Sequence, residues 1–135
     1  MQTAVAGSST AVLLVEDDPV IALDTSMTLK ALGLTQVEIA ATLEEAFAAL
    51  ERVTPHLVVM DIDLRGIMSF GLAEHLARQK IPFVFTTGYG EELPLPAEFL
   101  GRPVVGKPYD LEELRVALAP YLQTASPTMP EDRSF

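Results

Sequence analysis

Short apolar runs alternate with helical patterns along most of the chain. Ala11–Val15 and Leu57–Met60 are continuous apolar runs, which are typical of strands buried on both faces of a sheet. Three further strands are predicted at residues 36–40, 82–87 and 104–105. Because helical segments separate the strands, we expect an α/β fold with a doubly wound, five-stranded parallel sheet. The flavodoxin-like strand order 2-1-3-4-5 fits this pattern.

The sequence predicts where the first helix begins and that the fourth helix is reduced. Asp18 stands before Pro19, and an aspartate at this position accepts the free backbone N–H groups of a first helical turn. Residues 91–103 contain three prolines, so the fourth helix of the fold is expected to be short or distorted. The first helix is expected to carry Val20, Leu23, Met27 and Ala31 on one apolar face. Met27 is expected to lie in the core.

The length of 135 residues fits one folded domain. We expect this domain at residues 11–122, after a flexible leader at 1–10 and before a flexible tail at 123–135. Pro120 is expected to end or bend the last helix. The segment after the third strand is expected to be a loop that runs through Met68.

Composition and charge exclude several classes of function. The net charge of −10 argues against a nucleic-acid partner, because phosphates attract lysine and arginine. The apolar runs are too short to span a bilayer, so no membrane association is expected. There is no cysteine and no signal-peptide pattern at the start of the chain. These features predict a cytoplasmic protein.

Polar side chains stand at the carboxyl ends of four predicted strands: Glu16 and Asp17, Asp61, Thr87, and Lys107. In an open α/β sheet these strand ends form one crevice, so the residues should converge there. Crowded carboxylates repel one another unless a cation neutralises them, and oxygen ligands in a hydrated site suit Mg²⁺. A carboxylate can also attack phosphorus, which makes Asp61 a candidate nucleophile for phosphoryl transfer.

These residues resemble the signature of the receiver domains of two-component response regulators, and the resemblance covers roughly residues 11–122, nearly the whole chain. The resemblance implies that Asp61 is the phosphoacceptor and that Thr87 and Lys107 bind the phosphoryl group. It also implies a magnesium site made of Glu16, Asp17, Asp61 and the backbone carbonyl of Asp63. The matching segments, in the order of the family, are Val15-Glu16-Asp17-Asp18-Pro19, Met60-Asp61, Thr87 and Lys107-Pro108-Tyr109.

By the same resemblance, the phosphoryl group comes from a phosphohistidine on a sensor histidine kinase or a histidine phosphotransfer protein. We expect a stand-alone receiver of a phosphorelay, which signals through protein–protein interaction or acts as a phosphate sink. Such a receiver catalyses its own phosphorylation and dephosphorylation and is not a turnover enzyme. We expect a monomer rather than a homodimer, because the weakened fourth helix belongs to the face through which family members usually dimerise.

One further motif resembles a subgroup of this family. Residues 85–90, Phe-Thr-Thr-Gly-Tyr-Gly, are similar to the Phe-Ala-Thr-Gly-Tyr pattern of the FAT GUY single-domain receivers. Val104 stands three positions before Lys107, where the family is expected to have an aromatic switch residue. We hypothesise that Tyr89 takes over the role of that residue.

Two other functions fit parts of the sequence. Asp61-Ile62-Asp63-Leu64 fits the Asp-x-Asp nucleophile motif of haloacid-dehalogenase-type aspartyl-phosphate phosphatases. In that family, however, the nucleophile lies on the first strand and the acidic pair comes last, which is the reverse of the order here. The other alternative is a receiver-like binding module that is not phosphorylated. The intact acidic pair, Thr87 and Lys107 argue against it.

Overall fold

A parallel sheet forms the centre of the structure, a computed structural model that describes residues 11–88, 95–107 and 109–125, with side chains as far as residue 122. The five strands of the sheet lie in the order β2-β1-β3-β6-β7, which confirms the predicted order, and β4 and β5 form a separate antiparallel pair. The strands are β1 (Ala11–Val15), β2 (Gln36–Ala40), β3 (Leu57–Asp61), β4 (Asp63–Leu64), β5 (Ile67–Met68), β6 (Phe83–Thr87) and β7 (Val104–Gly106). The predicted leader, Tyr89 and residues 126–135 of the predicted tail lie outside the described residues.

Helices cover both faces of the sheet. They are α1 (Pro19–Ala31), α2 (Leu43–Arg52), α3 (Phe70–Arg78) and α4 (Leu111–Ala125), with a 3-10 helix at Ala97–Phe99. In residues 95–103, the described part of the segment expected to hold a short or distorted fourth helix, this 3-10 helix of three residues agrees with the expectation. The last helix does not end at Pro120 but continues to Ala125. Among the helices that the structure describes, none is long and apolar enough to cross a membrane.

Alternate residues of the strands enter two separate apolar cores. On one side, Leu13 and Met60 pack with residues of α2 and α3. On the other side, Leu14 and Val59 pack with residues of α1 and α4. Because both faces are covered, the central strands are continuous apolar runs rather than alternating ones.

The face of α1 that the sequence predicts to be apolar and buried is turned towards solvent. Val20 is 75 % exposed, and Leu23 and Met27 are each 61 % exposed, so the prediction of Met27 in the core is wrong. The buried residues of the helix are instead Ala22, Thr25, Ser26 and Leu29. Apolar residues lie on more than one side of this helix, so their spacing does not select a face. Small side chains at three of the four buried positions allow α1 to lie close to the sheet.

The expected loop after β3 is a β-hairpin. Leu64 of β4 pairs with Ile67 of β5, and the two residues between them, Arg65 and Gly66, have φ angles of 57° and 90°. Two consecutive positive φ angles are typical of a type I′ turn, which suits the twist of a two-residue hairpin connection. The hairpin directly follows the carboxyl end of β3, next to Asp61.

Candidate functional site

The loop after β1 carries three acidic residues with different roles. Glu16 is buried, and its carboxylate accepts a hydrogen bond of 3.1 Å from the N–H of Asp18. Asp17 accepts a hydrogen bond of 2.8 Å from the Nε of Arg65. Asp18 caps α1, as predicted, because its Oδ1 accepts the N–H groups of the first turn at 2.9 and 3.2 Å. Glu16 and Asp17 are therefore the residues of this loop that turn to the strand ends.

Asp61 is the last residue of β3 and is 5 % exposed. Its Oδ1 accepts a hydrogen bond of 3.3 Å from the N–H of Asp63. Its backbone carbonyl accepts a hydrogen bond of 2.7 Å from the hydroxyl of Ser69, which is fully buried. The backbone N–H of Ser69 in turn donates to the carbonyl of Ile62 at 2.9 Å. These bonds fix the two peptide groups on either side of Ile62, directly after Asp61.

Lys107 directly follows β7, and its ammonium group contacts two carboxylates at the ends of two other strands. Its Nζ donates to Asp61 Oδ2 at 2.8 Å and to Glu16 Oε1 at 3.1 Å. The lysine side chain is 16 % exposed, so both ion pairs are largely shielded from water. One ammonium group therefore links the ends of β1, β3 and β7.

Thr87 ends β6 at the same edge of the sheet. It lies opposite Gly106 in the strand register, and its backbone carbonyl accepts the N–H of Lys107 at 2.7 Å. Its side chain is buried. The structure therefore brings all five predicted side chains, Glu16, Asp17, Asp61, Thr87 and Lys107, to one end of the sheet.

The acidic residues at this edge are close enough to share a cation. One carboxylate oxygen from each of Glu16, Asp17 and Asp61 lies within 4.8 Å of the others. Asp61 also lines an open depression of about 300 Å³ with Asp63 and Lys107. Such carboxylate oxygens, beside open space for water and a phosphate oxygen, fit the ligand preference of Mg²⁺.

Burial and the ion pairs act in opposite directions on these groups. Burial raises the pKa of Glu16, although the N–H of Asp18 and the ammonium of Lys107 counteract it. Burial likewise raises the pKa of Asp61 against the opposing effect of Lys107. For Lys107 burial lowers the pKa, but the hydrogen bonds and charges of Asp61 and Glu16 outweigh it and leave the pKa raised. The lysine is therefore charged at neutral pH.

The family of the chain follows from this site and from its sequence. The family model of the response regulator receiver domain matches residues 12–119. The chain belongs to this family. The strand ends that carry the acidic pair, Asp61, Thr87 and Lys107 all lie within the matched residues of the receiver domain.

Relatives of this receiver domain include regulators of different lengths. The phyllosphere-induced regulator PhyR of Methylorubrum extorquens is 32 % identical over 106 residues, which are 73 % of this chain and 40 % of PhyR. The sensory transduction protein LytT of Bacillus subtilis is 30 % identical over 113 residues, 81 % of this chain and 47 % of LytT. The chain thus spans less than half the length of these two relatives. The solution structure of SdrG from Sphingomonas melonis Fr1 is 37 % identical, with a TM-score of 0.73, and the match covers 84 % of this chain and 96 % of SdrG.

Three contacts near the receiver site could not be predicted from the sequence pattern. Ser69 is an unremarkable serine at the start of a helix, yet its hydroxyl holds the carbonyl of Asp61. Arg65 reaches Asp17 across 48 positions of sequence. The Tyr109 hydroxyl forms a hydrogen bond with the hydroxyl of Thr25, which ties the segment after Lys107 to α1. Burial raises the pKa of Tyr109, so its hydroxyl is protonated at neutral pH. All three contacts depend on tertiary packing.

Proposed function

We propose that the chain is a phosphoryl-accepting receiver of a two-component phosphorelay, with Asp61 as the acceptor. One contact carries this proposal: the Asp61 carboxylate lies 2.8 Å from the Lys107 ammonium, beside two further carboxylates that can hold a divalent cation. The phosphodonor is a phosphohistidine of a sensor histidine kinase or a histidine phosphotransfer protein. A cytoplasmic location fits this role, and the monomeric state stays a prediction.

The transfer uses groups that already lie together. An oxygen of the Asp61 carboxylate attacks the phosphorus, a P–O bond forms, and the P–N bond breaks with its electron pair left on the imidazole nitrogen. The ammonium of Lys107 compensates the charge of the transferred oxygens, and the hydroxyl of Thr87 donates a hydrogen bond to them. A magnesium ion held by Glu16, Asp17, Asp61 and the carbonyl of Asp63 would neutralise more of this charge.

The proposed product is a signal rather than a released compound. The receiver supplies the chemistry of its own phosphorylation and dephosphorylation, and we infer that it does not turn over a diffusible substrate. Phosphorylation then either changes a protein-binding face or drains phosphate from the pathway. The relatives PhyR and LytT carry the names of a regulator and a sensory transduction protein, which supports a signalling role.

Phosphorylation by a small donor tests the proposal. The full chain is incubated with acetyl phosphate, with and without Mg²⁺, and its intact mass is measured. We expect one phosphoryl group per chain, dependent on Mg²⁺, on the wild type and on Asp24→Asn, a change at an exposed acid of α1, and none on Asp61→Asn. Label that persists on Asp61→Asn contradicts the proposal. Absence of label under every condition favours a binding module, and continuous release of phosphate favours a phosphatase.

The exposed apolar face of α1 is proposed as the docking surface for the phosphodonor protein. Its first residue, Val20, lies three positions after Asp17, so a partner that delivers a phosphohistidine to Asp61 must cover this rim of the site. Leu23→Asp is expected to slow transfer from a kinase that labels the wild type by about tenfold, as for loss of a central interface residue. Labelling by acetyl phosphate should not change.

Val116→Asp is the matched control for this surface, because Val116 is 59 % exposed but lies on α4. Both variants are compared in single-turnover transfer from the phosphorylated kinase. Equal rates for the Leu23 variant and the wild type would exclude docking on α1. A parallel loss with acetyl phosphate would instead indicate that the substitution damages the site.

A further inference from the structure

The side chain of Arg65 pairs with a carboxylate of the acidic cluster. Its Nε donates to Asp17 Oδ2 at 2.8 Å. The arginine side chain is 76 % exposed, whereas that of Asp17 is 18 % exposed. The guanidinium therefore lies on the solvent side of Asp17.

The turn of the β4–β5 hairpin holds Arg65 in this position. The residue has a φ of 57°, which is uncommon for a residue other than glycine. The carboxylate of Asp63 accepts the N–H of Gly66, and this bond closes the turn across Arg65. The conformation of the hairpin and the contact with Asp17 are thus parts of one local structure.

Together, Arg65 and Lys107 provide a positive partner for each member of the acidic cluster. Lys107 contacts Glu16 and Asp61, and Arg65 contacts Asp17. Three carboxylates and two cations have a net charge of −1, compared with −2 if Arg65 were absent from this set. The negative charge of the cluster is therefore already largely compensated by two side chains of the chain itself.

We propose that Arg65 is an internal competitor for the divalent cation at Asp17, and that cation binding releases it. This inference rests on the metal site of the proposed function. A guanidinium keeps its charge at any physiological pH, so it repels a second cation that shares its carboxylate. Release of Arg65 also removes the side-chain hydrogen bond between the turn of the β4–β5 hairpin and the loop after β1. Arg65 thereby sets the metal affinity and couples the position of the hairpin to metal occupancy.

Removal of the arginine should tighten metal binding. We expect Arg65→Asn to lower the Kd for Mg²⁺ by about two- to fivefold, because an exposed ion pair contributes little. Asparagine tolerates the positive φ of this position, so the turn is preserved. The matched control is Lys80→Asn, since Lys80 is also exposed and has a φ of 61° but lies in the turn after α3. Both variants lose one positive charge, so the change in net charge is the same in each.

Calorimetric titration of the full-length proteins with Mg²⁺ measures the difference. The side-chain Nε–H signal of Arg65 in the wild type is followed by NMR in the same titration, and it should move towards that of a solvated arginine. Tighter binding in Arg65→Asn but not in Lys80→Asn, with this movement, supports competition. Equal or weaker binding in Arg65→Asn, or an Nε–H signal unchanged at saturation, overturns it.

The experiment distinguishes failure of the competition proposal from failure of the proposed metal site. If the wild type and Arg65→Asn bind Mg²⁺ equally, the metal site stands and the competition is wrong. If neither protein binds Mg²⁺, both are wrong. Binding by Arg65→Asn alone supports competition in its strongest form. Circular dichroism of each variant checks that the fold is retained.

Discussion

Lys107→Ala is expected to slow phosphoryl transfer to Asp61 by about 100-fold or more, in line with the loss of one preorganised charge at a reacting oxygen. The ammonium lies 2.8 Å from the acceptor carboxylate, so its charge is in place before the phosphoryl group arrives. The rate is measured as the gain of intact mass with acetyl phosphate and Mg²⁺. If Lys107→Ala is labelled at the rate of the wild type, Lys107 does not take part in the proposed transfer.

The same substitution should lower the stability of the metal-free protein. It leaves Glu16 and Asp61, which are 3 % and 5 % exposed, without the cation that contacts both. Removal of one partner of a buried ion pair costs about 3 kcal/mol. Addition of Mg²⁺ should restore part of the loss, because a cation that binds the folded state stabilises it.

Urea unfolding with and without Mg²⁺ measures this change in the free energy of unfolding. Lys30→Ala is the control, because Lys30 is exposed in the last turn of α1 and a surface change there should alter stability by less than about 0.5 kcal/mol. If Mg²⁺ stabilises the wild type and Lys107→Ala equally, the lysine and the cation do not act on the same carboxylates.

The position of the site at the strand ends was predictable because it depends on simple regularities. Buried parallel strands are continuous apolar runs, so the ends of the runs at Val15 and Met60 locate the residues that follow them. The topology of an open sheet then places Glu16, Asp61 and Lys107 at one edge. These predictions needed the order of the strands but no detail of side-chain packing.

The orientation of α1 was not predictable by the same means. Its buried positions include Thr25 and Ser26, while Val20 and Leu23 are exposed. Periodicity assumes that the apolar side of a helix faces the core, and this assumption fails for a helix with apolar residues on several sides. An exposed apolar face of this kind is consistent with the proposed docking of a partner.

The contacts that support the site could also not be predicted from the sequence. The hairpin strands β4 and β5 have two residues each, which is too short for any alternation to be recognised. The turn position with positive φ is occupied by Arg65 rather than by glycine or asparagine, so the usual turn signal is weakened. Ser69 and Arg65 act through contacts that exist only after the hairpin has folded back towards Asp61.

Phe99→Ala is expected to lower the free energy of unfolding by about 3–5 kcal/mol, the usual cost of truncating a buried phenylalanine. Phe99 belongs to the 3-10 helix at Ala97–Phe99, and it is 2 % exposed. Its ring lies 6.2, 6.0 and 5.8 Å from the rings of Phe70, Phe83 and Phe85. The ring of Phe99 thus anchors a short segment that has little helical hydrogen bonding of its own.

Leu100→Ala is the matched control, since Leu100 follows directly in sequence but is 67 % exposed. It should change stability by less than about 0.5 kcal/mol. Both variants are compared by urea unfolding, and an unchanged dependence on urea concentration would show that the same cooperative unit unfolds. A loss of less than about 1 kcal/mol for Phe99→Ala, well below the usual range for such a truncation, would mean that the 3-10 segment docks independently of the core. The aromatic cluster would then stabilise the β6 side of the sheet without the help of this segment.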